Sequence, residues 1–281
     1  MNTDSSALNS ANQLIHTAFF KFVRLDDAEA VTTRLRELTH EVLGSILVAR
    51  EGINAVLAGP ADAVARFEEA LRTDPLFAGR FADIHFKHSA CITPPFARMK
   101  VHHKPEIVML GVDDVDAVGK KGIDVAPAAW RELIAQDDVV VIDNRNSFEY
   151  QLGKFRNAID PGVDNFRDFP RFIEENAPRW HKEGKRIAMY CTGGIRCEKT
   201  SAWMLDMDIP VYQLEGGILN YFEKMPDAER DWEGECFVFD NRIALDTHLQ
   251  ETSSTPEDVY GGKPEWEWRL QRARRLEEDS E

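Results

Sequence analysis

The run Arg186-Ile187-Ala188-Met189-Tyr190 passes directly into Cys191-Thr192-Gly193-Gly194-Ile195-Arg196, and a helix-period segment, Cys197 to Asp206, follows at once. A cysteine is therefore expected at the carboxyl end of a central parallel strand, where open α/β sheets hold their ligands. The two adjacent glycines let the backbone curl until the amides of Thr192, Gly193, Gly194 and Ile195 point at one spot, and the helix N-terminus adds partial positive charge there. The loop reads as an anion cradle. A thiolate placed in it has a lowered pKa, and Arg196 adds a full charge against the same anion. A plain buried thiol does not call for two glycines and an arginine in this order, so Cys191 and Arg196 are read as catalytic. Cys197, on the first helical turn, is either a resolving thiol or a packed side chain, and packing is favoured. Cys91 and Cys236 lie outside the loop and are assigned no chemistry.

Outward from the loop, helical and strand patterns alternate: a helix around Pro127 to Ala135, the apolar strand Val139 to Ile142, and a strand at Val211 to Leu214. Alternation of this kind implies a parallel sheet with helices on both faces, over residues 123–227. Nearer the N-terminus, His16 to Leu25 alternates as a strand, and Asp26 to Val42 has helical period with Asp26 or Asp27 as its cap. Ser45 to Ala49 and Ile53 to Ala58 form a hairpin around Glu51-Gly52, closed by Gly59-Pro60. Ala61 to Thr73 places Val64, Phe67, Ala70 and Leu71 on one helical face, and Phe81 to His88 alternates as a closing strand. The order β-α-β-β-α-β over residues 13–93 is the ferredoxin-like split motif. Residues 94–122 read as a connector, 1–12 as a flexible polar leader, and 228–281 as an extension. Within that extension Asp246 to Glu281 holds ten acidic against five basic residues and is expected to be solvated, with one charged helix near its end.

The 281 residues carry 34 Lys and Arg against 49 Asp and Glu, a formal charge of -15, with 43% apolar residues, as in an acidic globular protein of about two domains. No apolar run approaches the roughly 20 residues that span a bilayer, and the leader lacks the basic start and apolar core of a secretory signal, so a cytoplasmic protein is expected. Four scattered cysteines do not make a disulfide framework. His85 and His88, three apart on a strand, point to opposite faces, as do the adjacent His102 and His103, so no metal site and no bound cofactor is expected. Between Arg98 and Lys104 lie three cations, Arg98, Lys100 and Lys104, two histidines and no carboxylate, which suits either a phosphate-binding patch or a solvated linker. Phe19, Phe20 and Phe22 offer aromatic surface on the first strand, although core packing accounts for at least one face of it.

The loop Cys191 to Arg196 resembles the active-site loop of rhodanese domains, supported by Asp143-Asn144-Arg145 and by Phe148-Glu149-Tyr150 leading to Gly153. The longer string from Tyr190 to Trp203, followed by Leu214-Glu-Gly-Gly-Ile218, is narrower and resembles the rhodanese-related tRNA uridine hydroxylases. Glu51-Gly-Ile-Asn54, Lys100-Val101 and Glu106-Ile-Val108 match other stretches of that family, and the likeness covers about residues 15–240. Ala55, where the family often has glycine, and Lys104-Pro105, where it has a basic pair, depart from the pattern. The Trp232 to Asp240 stretch is present, but no cysteine follows Cys236, so a zinc-binding tail of the kind some members carry cannot be built. The resemblance implies an α/β protein with a ferredoxin-like α+β domain followed by a rhodanese-like domain. It also implies oxygen-dependent hydroxylation of the wobble uridine of tRNA to 5-hydroxyuridine, with molecular oxygen as co-substrate, tRNA at its anticodon as partner, and no membrane or DNA role. It favours RNA contact for Arg98, Lys100, His102, His103 and Lys104. The competing reading is a rhodanese-type sulfurtransferase with a persulfide on Cys191.

Overall fold

The structure, a computed structural model, describes residues 14–278 and divides them into two units; the leader read over 1–12 lies outside the described residues. The first unit comprises 14–107, 240–242 and 272–278. Its elements are β1 (Leu14–Phe22), α1 (Ala28–Leu38), β2 (Leu43–Ala49), β3 (Gly52–Pro60), α2 (Ala61–Thr73), β4 (Lys87–Cys91) and β5 (Met99–His103). Asp27 caps α1, its carboxylate accepting from the Ala30 amide. Strand order is β4-β1-β3-β2-β5, antiparallel through the first four and parallel between β2 and β5. Alternate residues of β1, β2 and β3, among them Phe19, Ile46, Val48, Ile53 and Leu57, meet Leu35, Val64, Phe67 and Leu71 of the two helices in one apolar core.

Two expectations need correction here. The closing strand begins later than Phe81, at Lys87. Phe81 and Ile84 are buried by consecutive four-residue turns, Arg80 N–H to Phe77 O and Ile84 N–H to Phe81 O, and it is Ile84 with Phe86, two apart and both against the core, that imitated strand alternation. The second concerns the connector over 94–122, because Met99 to His103 is the fifth strand of the first sheet. Val101 packs into the core while Lys100 and His102 take the opposite face, a pattern too short to stand out in five residues. The face away from the helices is closed at one end by 240–242. Arg242 forks onto Asp240 at 2.8 and 2.7 Å and donates to Ser89 Oγ at 3.0 Å, and Asn241 N–H reaches Pro95 O. His16 is enclosed there, 3.6 Å from Asp240; burial and Arg242 lower its pKa to about 4, so it stays neutral.

The second unit, 108–239 with 243–271, holds β6 (Ile123–Val125), α3 (Pro127–Ile134), β7 (Val139–Asp143), α4 (Ser147–Leu152), β8 (Gly153–Phe155), α5 (Phe169–Lys182), β9 (Arg186–Tyr190), α6 (Ile195–Leu205), β10 (Val211–Leu214) and α7 (Gly217–Lys224). The sheet is all parallel, in the order β6-β10-β9-β7. Apolar clusters cover both faces: Ile142, Ile187 and Met189 meet Phe169, Ile173 and Trp203 on one, and Val141, Ala188 and Leu214 meet Trp130, Ile218 and Tyr221 on the other. Short strands β11 (Trp232–Gly234), β12 (Cys236–Phe237) and β13 (Ala244–Leu245) and helices α8 (Pro256–Tyr260) and α9 (Glu267–Glu278) follow. The extension is not the solvated tail that its charge suggests. Tyr260 and Trp266 are buried, with rings 5.0 and 6.0 Å from Phe148, and Trp266 Nε1 donates to Asp164 at 2.8 Å. Net charge reports the exposed residues and not the few aromatics that seat the segment. Among the described residues no helix is long and apolar enough to cross a membrane, and no group of three or more metal-ligating side chains is gathered.

Candidate active site

Cys191 follows the last residue of β9, and the chain turns through Thr192 to Gly194 before α6 begins. Gly194 has φ 103°, a left-handed conformation that strains any side chain, and this bend lets its amide donate to Cys191 Sγ at 3.1 Å. Cys191 is 1% exposed while Thr192 to Ile195 are half-buried, so the sulfur lies at the floor of a cradle with an open rim. The cradle is braced from the β10–α7 corner, where the amides of Ile218 and Leu219 donate to the carbonyls of Cys191 and Thr192 at 3.0 and 3.2 Å. With those carbonyls turned outward, the loop presents N–H groups to the sulfur. The two corners touch so closely that a Cβ on Gly217 would sit 2.5 Å from Cys191 O and 2.7 Å from Thr192 O.

Burial opposes ionisation of Cys191, but the Cys197 thiol, the charge of Arg196 and the amides of Cys197 and Gly194 outweigh it and hold the thiol well below its ordinary range. Cys197 shows the converse. Burial first, and then the neighbouring Cys191, push its thiol well above that range. Asn144 borders Cys197, its Nδ2 3.9 Å from the sulfur and 3.0 Å from Thr200 Oγ1.

Arg196 acts on the sulfur through its charge, because two of its nitrogens are committed elsewhere. Nη1 and Nη2 donate to the two oxygens of Glu149, each at 2.7 Å, a bidentate pair in which Glu149 is fully buried. Burial would neutralise that carboxyl, but Arg196 holds it ionised below the ordinary carboxylate range, and the Asn146 amide adds a bond at 3.1 Å. Beneath the floor a second buried pair joins β7 to β9. Arg145 donates to Asp143 at 2.8 and 2.6 Å, and Tyr190 Oη donates to the same carboxylate at 2.7 Å. Cys191, Thr192, Gly193, Gly194, Ile195, Arg196 and Cys197 lie on one loop and the first turn of α6, whereas sequence reasoning gave no role to Glu149, Asn144 or the Gly216-Gly217 corner. The signal was present in Phe148-Glu149-Tyr150 and Glu215-Gly-Gly-Ile218, yet nothing in one-dimensional spacing pairs Glu149 with an arginine 47 positions on.

The basic residues lie in the first unit, on and around β5. Arg98, His102, His103 and Lys104 are exposed and Lys100 is half-buried. Strand alternation divides them, since Lys100 and His102 share the face opposite Val101 while His103 follows on the other.

The low pKa of Cys191 gives a direct expectation. Alkylation by iodoacetamide reaches its plateau below the pH at which free cysteine ionises, and Arg196→Met moves the profile to higher pH, because it removes the cation that favours the thiolate. A profile unmoved by Arg196→Met would show that the guanidinium contributes nothing to ionisation.

Comparison with known proteins matches residues 14–107 to a UPF0176 acylphosphatase like domain and residues 126–224 to a rhodanese-like domain. The chain is 43% identical over 239 residues to a tRNA uridine(34) hydroxylase of Legionella pneumophila (strain Corby), covering 84% of this chain and 92% of that one. It is 47% identical over 240 residues to one of Synechococcus elongatus, covering 84% and 87%. With one of Nitrobacter winogradskyi it shares 46% identity over 250 residues, covering 88% and 97%. Likeness of this degree along both domains means that the chain belongs to the tRNA uridine(34) hydroxylase family.

Proposed function

We propose that this chain hydroxylates C5 of the uridine at position 34 of tRNA, with Cys191 as nucleophile and molecular oxygen as co-substrate. The observation that carries the reading is a cysteine sulfur that accepts the Gly194 amide at 3.1 Å on the floor of an amide cradle, its pKa lowered there, in a chain that matches its relatives over both domains. Uracil C5 is a poor nucleophile. Addition of the Cys191 thiolate to C6 places an electron pair at C5, which attacks oxygen at the peroxide level. Loss of the C5 proton then expels the thiolate from C6 and restores the double bond. Reduction of dioxygen supplies one oxygen atom to C5 and one to water, with two electrons from a thiol-class reductant. Arg196 and the Cys197 S–H stabilise Cys191 both before attack and as it leaves. The protein works in the cytoplasm without a resident cofactor.

The test uses an anticodon stem-loop with 5-fluorouridine at the wobble position. Fluorine blocks proton loss from C5, so a protein–RNA adduct mapped to Cys191 is expected by mass spectrometry, with 5-hydroxyuridine formed from the normal substrate. Rapid sulfur transfer from thiosulfate with no oxygen added to tRNA would favour the persulfide carrier, whose thiolate needs the same amides.

In this reading Arg98, Lys100 and Lys104, with His102 and His103 beside them, contact RNA phosphates. Replacing the three cations by neutral residues is expected to weaken tRNA binding and to flatten its dependence on salt by about one counterion for each phosphate no longer neutralised, with folding unchanged. An unchanged salt slope would reduce the segment to an edge strand with charged ends.

A further inference from the structure

Phe239 is 57% exposed, one of two Phe, Tyr or Trp side chains, with Trp268, that stand in solvent among the described residues. Trp268 is covered on one side by the Arg269 guanidinium at 4.4 Å. Phe239 stands at the active site. Its ring centroid is 5.9 Å from Arg196 Cζ, and Arg196 in turn reaches Thr192 Oγ1 at 3.4 Å on the rim of the cradle. The ring is held edge-on by two buried neighbours, Phe237 at 4.9 Å and Phe148 at 6.5 Å, and the preceding residue is anchored by the Val238 amide bond to Ile243 O at 2.8 Å. One edge is thus fixed in an aromatic wall and much of the remainder is left in water, which core packing alone does not require.

We infer that Phe239 is the stacking platform for the uracil presented to Cys191. The inference rests on the hydroxylase reading and identifies a positioning residue for it. A base attacked at C6 must leave the stack of its loop, at a cost of a few kcal/mol, and a rigid aromatic face against Arg196 of the cysteine loop offsets that cost. Phenylalanine suits the task because it has no hydrogen-bonding group to compete with the base edge. The neighbouring guanidinium draws the ring's electron density to one side, and a pyrimidine on the other face completes the layer.

The experiment places 5-iodouridine at the wobble position of an anticodon stem-loop and irradiates it with the full chain carrying Cys191→Ala, so that attack at C6 does not compete. A photocrosslink mapped to Phe239 is expected. In parallel, Phe239→Leu in the otherwise native chain lowers kcat/KM about tenfold, chiefly through KM, with an unchanged melting temperature, and Phe239→Tyr, which keeps the ring, recovers most of that loss. A crosslink at another residue, or a Phe239→Leu chain with native KM, overturns the inference. A Phe239 crosslink in a protein whose native form makes no 5-hydroxyuridine leaves the stack standing and removes the hydroxylase reading instead.

Discussion

Cys191→Ser is expected to lower 5-hydroxyuridine formation by at least about 10³-fold, while Cys197→Ser retains a measurable fraction of it. A serine hydroxyl does not ionise under the influence of Arg196 and two amides, so the electron pair that adds to C6 is lost although shape and fold are kept. Serine in place of Cys197 still supplies a donor to the Cys191 sulfur and loses only the match of size. Digestion of tRNA after reaction with each variant, followed by nucleoside mass spectrometry, measures both. Native turnover by the Cys191 variant would end the nucleophile argument, and equal loss from both variants would make the two sulfurs a redox pair.

The second large effect is on stability. Arg145→Met leaves Asp143 buried with its countercharge gone and is expected to cost about 3–5 kcal/mol, read from the urea transition of the full chain. The paired replacement Asp143→Leu with Arg145→Met recovers much of the loss, because removing both charges leaves no buried ion. A single substitution within about 1 kcal/mol of the native chain would mean that water reaches Asp143 and screens it.

Local signals explain what was legible in the amino-acid order. The glycine pair after a β-branched and aromatic strand places Cys191 and its cradle, because bend, strand and helix are each determined within a few residues. The same holds for the hairpin at Glu51-Gly52 and for the apolar face of α2. The clamp of Glu149 on Arg196, the support of the cradle by Ile218 and Leu219, and the β2–β5 pairing join distant segments, for which spacing carries no information. Cys197 shows a different limit. Its position on the first helical turn permitted packing or chemistry, and only the neighbouring Cys191, close in space and sequence but invisible to periodicity, accounts with burial for its raised thiol pKa.

The closure of the first unit by Asp240, Asn241 and Arg242 has a consequence for synthesis on the ribosome. When residue 107 has been translated, β1 to β5 have all been made, but the groups that cover His16 and Ser89 are still some 130 residues from being translated. At ordinary elongation speeds that interval is on the order of 10 s. Throughout it the nascent sheet carries an uncovered histidine and an unclosed end, and its completion waits on a segment that the chain supplies only after the whole of 108–239. A fragment stopping at residue 107 is therefore a different object from the first unit of the whole chain.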